Sequence, residues 1–174
     1  MILQDMEKRC YTFSHFMLSP MAKGIQTLHS TVEMFNKYGL DERHSIEKKI
    51  LYDWSVNHKT VISLNAGVSG DLDDILYFLQ SNENVYPWAE FKEDEYSLKG
   101  VMTAISIVLT EKIYNASSYF RTKNFTFDEN TGKIICLDTS KVSIEDLELL
   151  DSYGSYNTFE QVLVTMVGSF RLAN

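Results

Sequence analysis

The sequence predicts an α/β fold: a mixed four-stranded sheet with helices on both faces, followed by a C-terminal β-hairpin and helices. Its 174 residues are 44% hydrophobic and 13% aromatic, which is enough to bury one core. Segments with strand periodicity and helix periodicity alternate along the first two thirds of the chain. The sequence contains only two prolines and no Gly/Ser-rich linker, so we expect little disorder. The predicted core order is β-α-α-β-α-β-β.

The first predicted strand is CYTFSHFML (10–18), in which aromatic and small residues alternate. The loop SPMAKG follows this strand. A helix comes next, because apolar residues recur there at helical spacing and Gly39 is placed to end it. We expect the apolar stripe of this helix to pack in the core; its members are Ile25, Leu28, Val32 and Phe35.

A second helix is predicted over DERHSIEKKILYDWSVNH, with Ile46, Ile50 and Trp54 on one face. The short apolar run TVISLN (60–65) is typical of a buried strand. Glycines in AGVSG then turn the chain.

The third predicted helix is GDLDDILYFLQS. Two strands follow it, VYPWAEF (85–91) and VMTAISIVL (101–109), and Pro87 places the former at an edge or a strand start. The third helix has an apolar stripe of four residues, Leu72, Ile75, Leu76 and Leu79.

The C-terminal part is predicted as an addition to this core, with residues 1–120 as the core and residues 121–174 as the extension. FTFDENTGKIICLD (125–138) has two alternating runs around a turn and predicts a β-hairpin. Capping-box patterns at Ser143 and Thr158 predict two helices. The last helix carries a broad apolar face that packs on the core or on a second subunit: Phe159, Leu163, Met166, Val167 and Phe170.

The charge of the chain limits its partners. The formal net charge is −8, the acids cluster in GDLDDI and EFKEDEY, and the basic residues form no stripe. Long nucleic acids are bound through clustered Lys and Arg, so a long nucleic-acid partner is disfavoured. The charged N-terminus is unlike a signal peptide, and no window has the roughly 18 apolar residues of a membrane span, so we expect a cytoplasmic protein without a membrane partner.

Cysteine and histidine spacing predicts neither a disulfide nor a metal site. Cys10 and Cys136 lie far apart in the sequence and form no CxxC pair, so we expect reduced thiols. The four histidines lie far apart in the sequence and form no HxxxH or HxE motif. The sequence also lacks a GxGxxG, a Walker-type or a GxSxG motif, so we expect no cofactor and no metal.

One loop position is a candidate for anion binding. Lys23 lies between the first strand and the first helix, where open α/β sheets bind ligands and helix N-termini point. Gln26 and His29 share a helix face beside the apolar stripe, and this face is either part of a site or a solvent-facing flank.

Other candidates come from an acidic run and from strand ends. Glu93 and Asp94 could act as acid or base if their loop folds over the sheet edge, and are otherwise solvated. Asn65 ends the second strand and is a candidate ligand-binding residue. Trp88 either stacks on a nucleotide base or packs in the core.

These motifs, in this order, resemble the type II peptidyl-tRNA hydrolase family over roughly residues 11 to 110. That family has a loop with a lysine and a glycine and then a helix with Gln-x-x-His, which here are Lys23, Gly24, Gln26 and His29. A helix ending in Trp corresponds to LYDWSVNHKTVISL, and an acid followed by Gly-x-x-Thr corresponds to Gly100-Val-Met-Thr103. The family's Asp-Ala-Gly string is absent here. SPMAKGIQ and YPWAEFKEDE also resemble strings of small tailed-bacteriophage proteins.

The resemblance implies a hydrolase in which Lys23, an acid (Glu93 or Asp94) and Thr103 act on a nucleotide-bearing ester or phosphodiester. The negative charge favours a small or cyclic nucleotide over tRNA. The alternative is a non-catalytic phage protein that binds and sequesters a host nucleotide signal, and a third possibility is a protein-protein interaction module. We expect a homo-oligomer, a dimer or higher. If the protein sequesters a nucleotide, the last helix would help to build this oligomer.

Overall fold

The computed structural model describes residues 6–39, 44–120, 125–138, 140 and 142–173. The chain forms two compact units. The larger unit comprises Glu7–Leu109 with the C-terminal strand, and the smaller one comprises Thr110–Phe170 with Met6. The predicted mixed α/β class is confirmed, with a mixed sheet, helices and a separate hairpin. The chain divides before the predicted boundary at residue 120.

The larger unit contains a five-stranded sheet in which a short C-terminal strand extends the predicted four. Its strands are β1 (Lys8–Ser14), β2 (Thr60–Asn65), β3 (Trp88–Lys92), β4 (Met102–Thr110) and β7 (Arg171–Leu172), and the smaller unit contributes β5 (Phe125–Phe127) and β6 (Ile134–Cys136) as an antiparallel hairpin. The order across the sheet is β3-β4-β1-β2-β7.

Strand directions set which ends of the sheet meet. β1 and β2 are parallel, whereas β3 pairs antiparallel with β4 and β7 pairs antiparallel with β2. Thr12 bonds Ser106, and His15 bonds Thr103, so β4 also runs antiparallel to β1. β1, β2 and β3 therefore end at the same edge of the sheet, which we call the carboxyl edge. All nine residues of β4 are buried, as its continuous apolar run predicts.

The larger unit also contains α1 (Pro20–Tyr38), α2 (Ser45–Asp53), α3 (Ser69–Ser81) and the short α4 (Glu95–Leu98). A π-helical turn, Trp54–His58, continues α2. The predicted stripe of α3 is confirmed, since all four of its members are buried. On the second helix, Ile50 and Trp54 are buried as predicted, but Ile46 is half exposed.

The orientation of α1 contradicts the prediction. Ile25, Leu28 and Val32 are exposed, and Phe35 is only partly buried. The buried face of α1 consists instead of Lys23, Gln26, Ser30, Met34 and Tyr38. The physical reason is a set of polar partners on the sheet, because the Ser30 hydroxyl bonds Ser106 of β4 and the Gln26 amide bonds Glu93. A helix whose polar side chains find such partners can place its polar face inward.

The smaller unit packs α5 (Glu111–Phe120), α6 (Ile144–Ser152) and α7 (Thr158–Ser169) around the hairpin. α5 was not predicted. Ser143 caps α6 as predicted, whereas α7 is capped by Asn157 rather than Thr158. The apolar face of α7 packs mainly against α5, and its buried members from the prediction are Phe159, Leu163 and Val167.

Candidate functional site

Five predicted site residues lie on segments that begin or end at the carboxyl edge of the sheet. Lys23 and Gln26 lie on the first turns of α1, immediately after the loop that follows β1. Glu93 follows β3, and Asn65 is the last residue of β2. Thr103 lies at the start of β4, beside the end of β1, because its carbonyl accepts from the His15 amide at 3.1 Å. We call these five residues the carboxyl-edge cluster.

Lys23 is the only cation of this cluster and is buried to an unusual degree. Its side chain belongs to the inner face of α1, and the residue is 6% exposed. Among the described residues, it has no ion-pair or hydrogen-bond partner for its ammonium. Ser19 caps the helix by accepting from the Ala22 amide at 3.2 Å, so Lys23 lies at the positive end of the helix dipole. The ammonium is therefore available to an anion at this end of α1.

Glu93 is the acid that faces the cluster. Gln26 Nε2 donates to Glu93 Oε1, and the Glu93 amide donates to the Val101 carbonyl at 3.0 Å. Asp94, the other acid of the prediction, is exposed and accepts from the Tyr96 amide at 2.8 Å, which caps the short helix α4. The structure therefore separates two neighbouring acids that sequence spacing could not separate.

Three polar atoms of the cluster are buried without a hydrogen-bond partner in the described part of the chain. They are Gln26 Oε1, Asn65 Oδ1 and Thr103 Oγ1. Two further atoms of this kind, Thr27 Oγ1 and Thr110 Oγ1, lie outside the cluster. Buried polar atoms are nearly always satisfied by protein, water or ligand. Each of these three atoms can therefore take a hydrogen bond from a polar ligand or from ordered water.

The remaining two candidates lie away from the cluster or at its rim. His29 is exposed, and its ring centre lies 4.4 Å from that of Phe91 on β3. Trp88 lies at the other end of β3 from the carboxyl edge, so the structure does not bring it to the cluster. The Lys37 ammonium lies 3.3 Å from a Trp88 ring centre and covers that ring, which makes base stacking there unfavourable.

A chain of buried hydroxyl groups lies between the sheet and α1, next to Gln26 of the cluster. This chain was not predicted from the sequence. Thr12 Oγ1 lies 2.7 Å from Ser106 Oγ, which lies 2.6 Å from Ser30 Oγ. Ser30 in turn donates to the Gln26 carbonyl at 3.0 Å. The signal in the sequence was the serine inside the apolar run of β4. This network fixes the rotation of α1 and thereby the position of Gln26.

Cys10 lies beside this network, beneath α1. Burial raises the pKa of its thiol to about 12, although hydrogen bonds with Thr31, Ser106 and Thr12 oppose the rise. Cys10 is buried and Cys136 is partly exposed, and neither forms a disulfide in the structure.

A groove of about 520 Å³ is separate from the carboxyl-edge cluster. It lies between the C-terminal half of α1 and the edge strand β3, where Glu33, Lys37 and Glu90 line it. The edge of β3 is partly covered there, because Lys37 Nζ donates to the Trp88 carbonyl at 3.2 Å. None of the predicted site residues lines this groove.

Within the described ranges, no group of three or more His, Cys, Asp or Glu side chains could hold a metal ion. None of the helices described is long and apolar enough to cross a bilayer. No protein-family model matches the sequence, and no curated protein matches it significantly. Inferences about function therefore depend on the cluster itself: one buried cation, one acid held by an amide, and unsatisfied polar atoms around them.

Proposed function

We propose that the carboxyl-edge cluster binds a small nucleotide and hydrolyses an ester or phosphodiester bond in it. The observation that supports this most directly is the buried Lys23, which has no anionic partner among the described residues. A phosphate or another anion could accept a charge-assisted hydrogen bond from this ammonium. The net charge of −8 favours a small or cyclic nucleotide over a whole tRNA.

The proposed reaction uses three side chains in different roles. Lys23 binds the anionic group of the substrate and lowers the cost of charge that develops in the transition state. Glu93, held by Gln26, takes a proton from the attacking water as the new bond to carbon or phosphorus forms. The bond to the leaving oxygen then breaks, and that oxygen receives the proton from Glu93. Thr103 Oγ1 donates a hydrogen bond to the reacting group, and Asn65 Oδ1 accepts one from the nucleotide.

One observation favours the alternative, a protein that binds and sequesters the nucleotide without reaction. Thr103 Oγ1 has no base within hydrogen-bond distance among the described residues, and Glu93 is already bonded to Gln26. An acid occupied in this way can position a ligand without activating water. Both functions suit a phage protein that counters a host nucleotide signal, acting in the cytoplasm of the host.

The binding step is tested first. The protein is titrated by calorimetry with a panel of mono-, di- and cyclic dinucleotides in EDTA. We expect one class to bind, and Lys23→Met to weaken its binding by at least about tenfold, because a charge-assisted hydrogen bond is lost. The control variant is Lys133→Met, since that lysine forms an exposed ion pair with Asp151. Undiminished binding to Lys23→Met, or no binding by any nucleotide, would contradict the proposal.

The reaction is tested with the same ligands and with peptidyl-tRNA. We expect Glu93→Gln to retain binding and to lose product formation by about 100-fold or more, as measured by chromatography. Recovery of intact ligand from heat-denatured wild-type protein would instead support sequestration. Turnover that is unchanged in both Glu93→Gln and Thr103→Ala would reject the proposed roles.

A further inference from the structure

The outer face of α1 carries a regular apolar row, which we call the α1 seam. It consists of Met21, Ile25, Leu28 and Val32, which are 79, 47, 61 and 47% exposed. Their spacing of four, three and four residues is the heptad spacing of helices that pack side by side. A row with this spacing faces one direction, so a single neighbouring helix can cover all four side chains.

The seam lies opposite the buried face of α1. At about 100° per residue, its centre is about 180° from the row that contains Lys23, Gln26 and Ser30. Between Met21 and Val32, the exposed face of the helix carries no Asp, Glu, Lys or Arg. A helix that faces water normally has charged side chains on its outer face, whereas between Met21 and Val32 the one charged residue, Lys23, lies on the inner face.

The apolar area is large enough for a specific interface. Phe16 and Met17, in the loop before α1, are also 45 and 73% exposed. With the seam, they leave roughly 600 Å² of apolar side chain open, at the upper end of what monomeric proteins expose. If two copies covered this surface mutually, they would bury roughly 1,200 Å², the lower limit of standard protein interfaces.

We propose that the α1 seam is the interface of an antiparallel homodimer. A two-fold axis between Ile25 and Leu28 pairs Ile25 with the partner's Leu28 and Met21 with the partner's Val32. The row is therefore complementary to itself, as a two-fold interface requires. The antiparallel arrangement also places the two helix dipoles in opposite directions. Gly24 flanks the seam, and no atom lies near the position of an added Cβ, so the partner helix can approach closely.

A membrane surface fits the seam less well than a second copy does. Helices that lie on membranes carry Lys and Arg beside their apolar face. The cations of α1 are Lys23, which is buried, and Lys37, which is bound to the Trp88 carbonyl. The acidic chain would also be repelled by anionic lipid.

The oligomeric state tests the interface. The mass of the wild-type protein is measured by light scattering after gel filtration at about 50 µM. Because the interface reaches the lower limit of standard size, we expect a dimer with twice the 20.1 kDa chain mass. Leu28→Glu places two charges at the dimer centre and is expected to raise the dimer Kd by at least about 100-fold. Tyr77→Glu is the matched control, because Tyr77 is also an exposed apolar residue in a helix, α3. A monomeric wild type, or a dimer that survives Leu28→Glu, would overturn the proposal.

Disulfide cross-linking tests the antiparallel arrangement in a Cys136→Ser background. Met21→Cys protein is mixed with Val32→Cys protein and oxidised. An antiparallel pair gives a disulfide-linked heterodimer, whereas neither variant alone cross-links efficiently. Efficient cross-linking of Met21→Cys to itself would overturn the antiparallel arrangement. Loss of the heterodimer on adding Leu28→Glu to both variants would show that the cross-link reports the seam.

Discussion

Helices α1 and α7 both carry apolar rows in the sequence, but the structure treats the two rows in opposite ways. In α7, Leu163 and Val167 are buried, and the helix packs against α5. In α1, Leu28 and its neighbours on the seam face outward, while Lys23 and Gln26 are buried. A comparable pattern therefore gives a core helix in one unit and a helix with its polar face inward in the other.

The two helices differ in the face opposite the apolar row, which in α1 is polar and buried. The inner face of α1 has specific partners on the sheet, since Ser30 bonds Ser106 and Gln26 bonds Glu93. Such partners compensate for the burial of polar groups, so hydrophobicity alone does not decide the rotation of the helix. An apolar row in a helix predicts that another surface packs against it. The row does not show whether that surface is the core of the same chain or a second molecule.

The largest expected effect is a difference in the free energy of unfolding between substitutions in the apolar row of α7 and in the α1 seam. Leu163→Ala is expected to lower the free energy of unfolding by about 3 kcal/mol, because it leaves a cavity in a closed interior. Leu28→Ala is expected to lower it by less than about 0.5 kcal/mol in dilute, monomeric protein, because Leu28 is exposed. Urea unfolding followed by far-UV circular dichroism measures both values.

Two further variants complete this comparison within each helix. Met34→Ala on the inner face of α1 is expected to cost about as much as Leu163→Ala, since Met34 is fully buried. Val162→Ala on the outer face of α7 is expected to cost as little as Leu28→Ala. If Leu28→Ala cost as much as Met34→Ala at low protein concentration, the outward orientation of the seam would be wrong.

A smaller effect is expected from the hydroxyl chain that fixes α1. Ser30→Ala removes bonds to Ser106 and to the Gln26 carbonyl and is expected to cost about 1.5 kcal/mol, the usual range for a buried hydrogen bond. Thr165→Ala on α7 is the matched control, because Thr165 also bonds the carbonyl four residues earlier but is exposed. The double variant Ser30→Ala/Ser106→Ala should cost less than the sum of its single variants, because the two residues share a bond.

Much of the fold could be predicted because local patterns and tertiary packing agree there. The stripe of α3 is an example, since all four of its members are buried. The strand at 60–65 forms where it was predicted, but the prediction of a buried strand is wrong, because only Leu64 of its six residues is buried and Val61 is exposed. α5 was not predicted, and two of its four buried residues, Ala116 and Ser117, are small, so its buried face is only weakly apolar in the sequence. The two-residue strand β7 is too short to show any periodicity.

The candidate site was predictable in position and less so in membership. Lys23 lies at the carboxyl edge because it follows the first strand, as the predicted order of elements along the chain implies. Thr103 lies there because β4 runs antiparallel to β1, a strand direction that the sequence did not predict. Asp94 and Trp88 lie elsewhere for local reasons, a helix cap and a cover by Lys37. The sequence did not predict that the hydroxyls of Ser30 and Ser106 are buried. Each of them can be buried because it forms a hydrogen bond with the other, and the two residues lie far apart in the sequence.

The smallest expected effect is a pH dependence of the stability that comes from Cys10, which is buried between the sheet and the inner face of α1. Cys10 shares a buried cluster with Met34 and Tyr38 of α1, and burial raises the pKa of its thiol to about 12. A folded-state pKa above the unfolded value gives stability that is complete below the unfolded pKa. That stability is lost as the pH rises from about 9 toward 12.

Comparing the Cys136→Ala variant with the Cys10→Ala/Cys136→Ala variant isolates this contribution, because the other titrating groups cancel. The difference in their free energies of unfolding, from urea titrations, should be constant from pH 6 to 8. At pH 10 the Cys136→Ala variant, which keeps Cys10, should have lost about 1 kcal/mol of stability relative to the double variant. Iodoacetamide should leave Cys10 unmodified in the folded protein at pH 8, because the thiol is buried and protonated. Rapid labelling of Cys10 at that pH would show that α1 opens from the sheet, and the contrast with a firmly packed α7 would then be one of mobility as well as orientation.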